Sequence, residues 1–149
     1  MSELRELYQE VILDHYRNPR NLGHIEPSNR EANGNNPLCG DKFTIYANVE
    51  DGIVKDVSFE GRGCAISTAS ASLMTEILKG LTEAEAGAVF ERFHAVVTGE
   101  KDEVIDGDLD KLNVLTGVRG YPMRVKCATL AWHTMKAALK NSDETVVTE

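Results

Sequence analysis

Three cysteines and one aspartate are the residues of this chain best suited to chemistry, namely Cys39, Asp41, Cys64 and Cys127. They are spread over most of the 149 residues, yet each cysteine lies where a regular element is expected to begin. Thiolates bind metals and attack sulfur. Three thiolates with one carboxylate have the stoichiometry of a single tetrahedral metal site.

The predicted local structure favours a shared site. Cys39 and Asp41 are two residues apart, so on a strand their side chains would point to the same side, and Gly40 leaves room for close approach. Cys64 and Cys127 are expected at helix N-termini, where unpaired N–H groups and the helix dipole make a thiol easier to deprotonate. All four donors are therefore expected to bind as anions.

Two further observations weigh on this interpretation. Arg62, Arg124 and Lys126 add positive charge near the cysteines, which also favours thiolate. Against it, the chain has no Cys-x-x-Cys motif, and an isolated cysteine is often a small buried hydrophobic residue without a chemical role. The histidines add no clear ligand, and His15 falls on an apolar helix stripe, as a core or interface histidine would.

Composition restricts the class of protein. The hydrophobic fraction of 42% and the length are those of one globular domain, residues 1–149. A net charge of −8 opposes binding to nucleic acid or to anionic membranes. Neither a secretory signal nor an apolar run of membrane-spanning length is visible. An odd number of cysteines without disulfide-framework spacing predicts a cytoplasmic protein with reduced thiols.

The elements that must position these residues follow from periodicity. Alternating residues on either side of Asp51-Gly52 predict an antiparallel hairpin. Residues 18–37 are rich in Asn, Pro and Gly and predict a loop with at most a short strand. Helical spacing predicts helices over 3–17, 64–79, 83–98 and 127–140, with a short helical turn after Asp108. Residues 141–149 are expected to be a flexible tail.

Four segments together resemble a known family. They are Asp14-His15-Tyr16-Arg17-Asn18-Pro19-Arg20-Asn21, Asn36-Pro37-Leu38-Cys39-Gly40-Asp41, Gly61-Arg62-Gly63-Cys64-Ala65-Ile66-Ser67 and Cys127-Ala128-Thr129-Leu130. In this order they resemble the U-type iron–sulfur cluster assembly proteins (the IscU/SufU-like family) from the first helix to the last. The resemblance implies an α+β fold, with a small three-stranded antiparallel sheet and helices packed on it.

The resemblance also implies roles for residues. Cys39, Asp41, Cys64 and Cys127 match the family's metal and cluster site, and Cys39 matches the cysteine that accepts sulfur from a pyridoxal-phosphate cysteine desulfurase. Arg124 is similar to a basic residue expected to support that reaction. Downstream apo iron–sulfur proteins or cluster carriers are the implied acceptors.

Three departures place the chain closest to the SufU-type branch. Lys126 stands where the scaffold branch has a histidine before the third cysteine. Residues 121–126 lack the paired prolines read by a dedicated Hsp70-type chaperone, so that partner is not expected. An insertion at about residues 100–120 precedes the third cysteine.

Three functions remain open from the sequence. The first is a scaffold on which a transient iron or [2Fe-2S] cluster forms, made labile by the harder carboxylate donor. The second is a zinc-dependent sulfurtransferase that passes persulfide sulfur on without building the cluster. The third is a structural zinc module that only binds partners. Whether the protein is an enzyme, its native metal and its oligomeric state stay undecided.

Overall fold

A computed structural model describes residues 2–100, 105, 107–141 and 145–148. Four α-helices, four β-strands and one 3₁₀ helix occur in this part of the chain. In chain order they are α1 (Ser2–Arg17), β1 (Arg30–Asn36), β2 (Asp41–Glu50), β3 (Ile53–Arg62), α2 (Ala65–Leu78), α3 (Glu83–Thr98), the 3₁₀ helix (Gly107–Val118), α4 (Pro122–Leu139) and β4 (Val146–Val147). The predicted α+β class is confirmed.

The sheet has four strands in the order β3-β2-β1-β4, one more than the three that were expected. The first three are antiparallel, and β4 adds a parallel edge through Gly34 and Val146. A strand of two residues is too short to show an alternating pattern. Part of the expected tail is therefore paired with the sheet, whereas residues 142–144 and 149 lie outside the described residues.

Strand β1 occupies a segment that was predicted as a loop with at most a short strand. Its sequence, Arg-Glu-Ala-Asn-Gly-Asn-Asn, has low strand propensity, yet Ala32, Gly34 and Asn36 are buried. Helix α4 crosses this strand so closely that a Cβ on Gly34 would overlap the hydroxyl of Thr134. Packing against α4 and pairing with β2 thus override local propensity.

The hairpin and the first three helices confirm their predictions. Asp51 and Gly52, both with positive φ, connect β2 to β3. Helix α3 begins with a capping box, in which Thr82 Oγ1 accepts from the Glu85 N–H at 3.1 Å and Glu85 accepts from the Thr82 N–H at 3.0 Å. Gly99, with φ of 84°, ends the helix.

Helix α4 begins earlier than predicted. The predicted start was Cys127, but the helix starts at Pro122 and Cys127 lies within its second turn. Proline suits the first helical position because its fixed φ fits and its missing N–H would have no partner there. Cys127 therefore faces no unpaired N–H groups of a helix end.

The core lies between the sheet and α2 and α4, which pack on it and on each other. Phe59, Leu73, Phe93 and Trp132 are among its fully buried side chains. Helix α1 packs on α2, and the 3₁₀ helix covers α1 and α3, burying Leu112 and Leu115 among others. In the described part of the chain, no helix combines the length and apolar character needed to cross a bilayer.

Candidate metal centre

Three of the four proposed ligands converge at one end of the sheet. One ligand atom each of Cys39, Asp41 and Cys127 lies within 4.8 Å of the others. The two sulfur atoms are 3.5 Å apart, although the residues are 88 positions apart in the sequence. Among the described residues this is the only group of three or more Cys, His, Asp or Glu side chains so arranged.

Cys39 lies in the turn between β1 and β2, not on the strand itself. The carbonyl of Asn36 accepts from the N–H groups of Cys39 at 3.1 Å and Gly40 at 2.9 Å. Gly40 adopts φ of 74°, a conformation that glycine tolerates best. The expected convergence with Asp41 occurs, but a tight turn produces it instead of strand alternation, and the turn leaves Cys39 exposed.

Asp41 is fully buried at the first residue of β2. Its Oδ1 accepts from the Cys64 N–H at 2.9 Å, whereas its Oδ2 has no hydrogen-bond partner among the described residues. A buried carboxylate oxygen without a partner is costly, and a bound cation removes that cost. The aspartate therefore fits a metal ligand better than a purely structural residue.

Cys64 is the N-cap of α2, as predicted. Its Sγ accepts from the Ser67 N–H at 3.4 Å, and Ser67 Oγ lies at the same distance. Hydrogen bonding from Cys127 and then from Ser67 lowers the pKa of Cys64 to about 6, against the opposing effect of burial. The thiol is poised to be a thiolate, but it does not lie within 4.8 Å of all three other donors.

Cys127 behaves in the opposite way. Its hydrogen bond to Cys64, burial, and the contact with Cys39 raise the pKa of this thiol well above its ordinary value. The prediction that a helix N-terminus makes Cys127 more acidic is wrong, because α4 starts five residues earlier. A bound cation is what would favour its thiolate form.

Two residues that the sequence reasoning did not assign to the site help to build it. A Cβ on Gly63 would press on Asp41 Oδ1, Phe43 and Ser67, so only glycine fits there. Asn36 lies opposite Asp41 in the sheet, is fully buried, and shapes the turn of Cys39. The glycine between the strand and Cys64 was a usable signal, whereas no local pattern marked Asn36.

The basic residues do not form one cluster with the thiols. Arg124 is exposed on the first turn of α4, with its guanidinium 5.0 Å from the centre of the Tyr121 ring. Arg62 is exposed at the end of β3 and Lys126 is half-buried on α4.

The histidines lie outside this group, as expected. His15 is buried and its Nδ1 lies 2.7 Å from Ser72 Oγ, which confirms it as an interface histidine between α1 and α2. His94 and His133 contact each other between α3 and α4, with ring centres 5.6 Å apart. The candidate donors are thus sulfur and carboxylate oxygen, a set that suits zinc or iron–sulfur chemistry.

Residues 7–148 match the family of NifU-like N-terminal domains. The chain is similar to a zinc-dependent sulfurtransferase, SufU, of Bacillus subtilis, with 40% identity over 95% of both chains. It is 41% identical to an iron–sulfur cluster assembly scaffold protein, IscU, of Thermotoga maritima, over 90% of this chain and 93% of the relative.

A solved structure of a similar protein has the same fold. The crystal structure of a putative iron–sulfur cluster assembly scaffold protein for the SUF system, from Fervidobacterium islandicum, superimposes with a TM-score of 0.81. The two chains are 34% identical, and the match covers 91% of this chain and 98% of the other.

Proposed function

The chain belongs to the family of NifU-like N-terminal domains, and from that premise we propose that it is an iron–sulfur cluster assembly protein. It binds a metal, receives sulfur from a cysteine desulfurase, and acts as the scaffold on which nascent clusters form. The named relatives support this proposal, since one is a cluster assembly scaffold protein.

The observation that carries the proposal is the unpartnered Oδ2 of the buried Asp41 beside two thiols. Cys39, Asp41 and Cys127 would hold zinc or iron, and Cys64 completes the set from the N-terminus of α2. When bound, the metal would supply a positive charge that favours the thiolate form of its cysteine ligands, and iron held by them could bind sulfide.

Sulfur enters at Cys39, because it combines exposure with membership of the ligand group. A persulfide on the desulfurase can reach this turn, whereas Cys127 is buried. Arg124 and Tyr121 lie exposed at the start of α4 and are placed to contact the donor protein. The final acceptors are apo iron–sulfur proteins or cluster carriers in the cytoplasm, without a dedicated Hsp70-type chaperone.

A second candidate function is zinc-dependent sulfur transfer without cluster building. Two observations favour it, namely the similarity to the sulfurtransferase of B. subtilis and Lys126 in place of a histidine donor. In that case zinc stays bound and only Cys39 exchanges sulfur. A structural zinc module is the third candidate, and it fails if metal-free protein keeps its fold but loses sulfur handling.

Metal and labile-sulfide analysis of protein purified without oxygen separates the first two functions. Iron with an equal amount of sulfide, and transfer of a reconstituted cluster to an apo-acceptor, supports scaffolding. Zinc without sulfide, with no cluster formed from iron, cysteine and a desulfurase, contradicts it and supports transfer.

The role of Cys39 is tested by the Cys39→Ala variant in a desulfurase assay. We expect the variant to lose its stimulation of the desulfurase, since Cys39 is the exposed thiol among the three converging donors, whereas the exposed Cys64 lies outside that close group. Leu38→Ala, which changes the neighbouring exposed residue and keeps the thiol, is the matched control. Normal stimulation by Cys39→Ala would exclude this role.

A further inference from the structure

The relation between Cys39 and Cys127 goes beyond shared metal binding. Their sulfur atoms are 3.5 Å apart, with Cys39 exposed in its turn and Cys127 only 4% exposed behind it. Cys64 does not belong to the same close group. A sulfur atom delivered to Cys39 from solvent therefore has one thiol directly behind its point of attachment.

Building on the proposed function, we propose that Cys127 is the resolving thiol that releases the sulfur carried by Cys39 as hydrosulfide. A cluster contains sulfide, whereas a persulfide carries its outer sulfur at the level of elemental sulfur. Two electrons are needed to convert one into the other. The Cys39–Cys127 pair supplies both of them when it becomes a disulfide.

The step balances in atoms, charge and electrons. The Cys127 sulfur forms a bond to Cys39 Sγ, and the bond between Cys39 Sγ and the terminal sulfur breaks. The electron pair of that bond leaves with the terminal sulfur. Cys127 gives its proton to solvent water as it attacks, and the terminal sulfur takes a proton from water and departs as hydrosulfide. The two cysteine sulfurs are oxidised to a disulfide, and the delivered sulfur is reduced to sulfide. An external dithiol restores both thiols before the next turnover.

The geometry suits this exchange. Thiol–disulfide exchange proceeds by attack on one sulfur with the leaving sulfur departing from its far side. Cys127, held on the rigid α4, lies on the buried side of Cys39, so the leaving sulfur faces outwards. The sulfur atoms of Cys127 and Cys39 are already in contact at 3.5 Å. The two sulfurs must approach by about 1.5 Å to bond, and the turn at Gly40 can supply that movement.

The test uses the protein with a cysteine desulfurase and one equivalent of its substrate cysteine, in buffer without any other thiol. Mass spectrometry follows persulfide on Cys39 and maps disulfides, and a colorimetric assay follows released sulfide. We expect the wild type to release about one sulfide for each Cys39–Cys127 disulfide formed. The Cys127→Ser variant should hold a persistent Cys39 persulfide and release sulfide about tenfold more slowly. Cys64→Ser, which removes a site thiol but keeps the pair, should still form the disulfide.

The outcomes distinguish a failure of the resolving role of Cys127 from a failure of the proposed function on which that role rests. If Cys39 acquires no persulfide in any form of the protein, the proposed sulfur entry fails and the resolving role fails with it. If Cys39 acquires a persulfide that is equally long-lived in wild type and Cys127→Ser, only the resolving role is overturned. A disulfide from Cys39 to Cys64 in the wild type would overturn it too, and this result needs no folded variant.

Discussion

Helices α2 and α4 each carry one of the proposed cysteine ligands, yet they hold it in different ways. Cys64 is the N-cap of α2 and receives hydrogen bonds that stabilise its thiolate. Cys127 lies in the second turn of α4, is buried, and keeps its proton. Cys39, in a turn, is free of both helices. The three cysteines thus differ: Cys64 is exposed with a lowered pKa, Cys127 is buried with a raised pKa, and Cys39 is exposed in a turn.

The difference comes first from the hydrogen bond between the two thiols, which favours the thiolate of Cys64 and the neutral form of Cys127, and then from their different places on the helices. At the N-cap, a sulfur atom faces the unpaired N–H groups of the first turn. Five residues later the N–H groups are bonded within the helix, and the hydrogen bond to Cys64 together with burial favours the neutral thiol of Cys127.

The largest expected effect is a difference in reactivity between the thiols of Cys64 and Cys127. In metal-free protein at pH 7, we expect iodoacetamide to modify Cys64 about 100-fold faster than Cys127. The lowered pKa of Cys64 keeps its thiolate populated as pH falls towards about 6, while the raised pKa of Cys127 keeps that thiol neutral at pH 7. Peptide mapping after short exposures gives both rates. Equal modification rates for Cys64 and Cys127 would contradict the difference in pKa between these thiols.

The next effect concerns Asp41, a proposed metal ligand whose Oδ1 accepts from the N–H of the α2 N-cap residue Cys64. Asp41→Ala removes both a ligand and the acceptor of the Cys64 N–H, so zinc affinity should fall about 10–100-fold or more. Asp41→Asn is the matched control, since its amide oxygen can still accept the 2.9 Å hydrogen bond but carries no charge. Competition with a zinc chelator measures each affinity. An unchanged affinity in Asp41→Ala would exclude this carboxylate as a ligand.

A smaller effect is expected on stability at the N-cap of α2. Cys64→Ala removes the sulfur that accepts from the Ser67 N–H and should lower the free energy of unfolding by about 1 kcal/mol. Cys64→Ser replaces the cap by a residue that caps helices well and should restore most of that loss. Urea unfolding of metal-free protein measures both values. Alanine and serine variants of equal stability would show that the sulfur does not cap the helix.

Much of the fold was predictable because local signals agreed with the tertiary structure. Asp51-Gly52 marks a hairpin, and Thr82 with Glu85 marks a helix start, whatever surrounds them. Strand β1 was not predictable in this way. Helix α4 packs so closely on Gly34 that a Cβ would not fit there, and the asparagines beside it have low strand propensity. Its strand conformation comes from packing that no local pattern records.

The predicted convergence of Cys39, Asp41 and Cys127 occurs, but partly for reasons other than those predicted, and their role as ligands stays a prediction. Cys39 reaches Asp41 through a turn, and Cys127 is not at a helix end. Pro122 was the available signal for the earlier start of α4, because proline favours the first helical position. The unpartnered oxygen of Asp41 and the 3.5 Å contact of two sulfurs are tertiary facts that sequence spacing does not contain.

X-ray absorption at the zinc edge tests the central claim most directly, that four distant side chains hold one ion. For zinc-loaded protein we expect three sulfur neighbours at about 2.3 Å and one oxygen neighbour at about 2.0–2.2 Å. This would show that Cys64 moves in to join Cys39, Asp41 and Cys127. A shell of nitrogen and oxygen with two or fewer sulfurs would contradict the four-residue site.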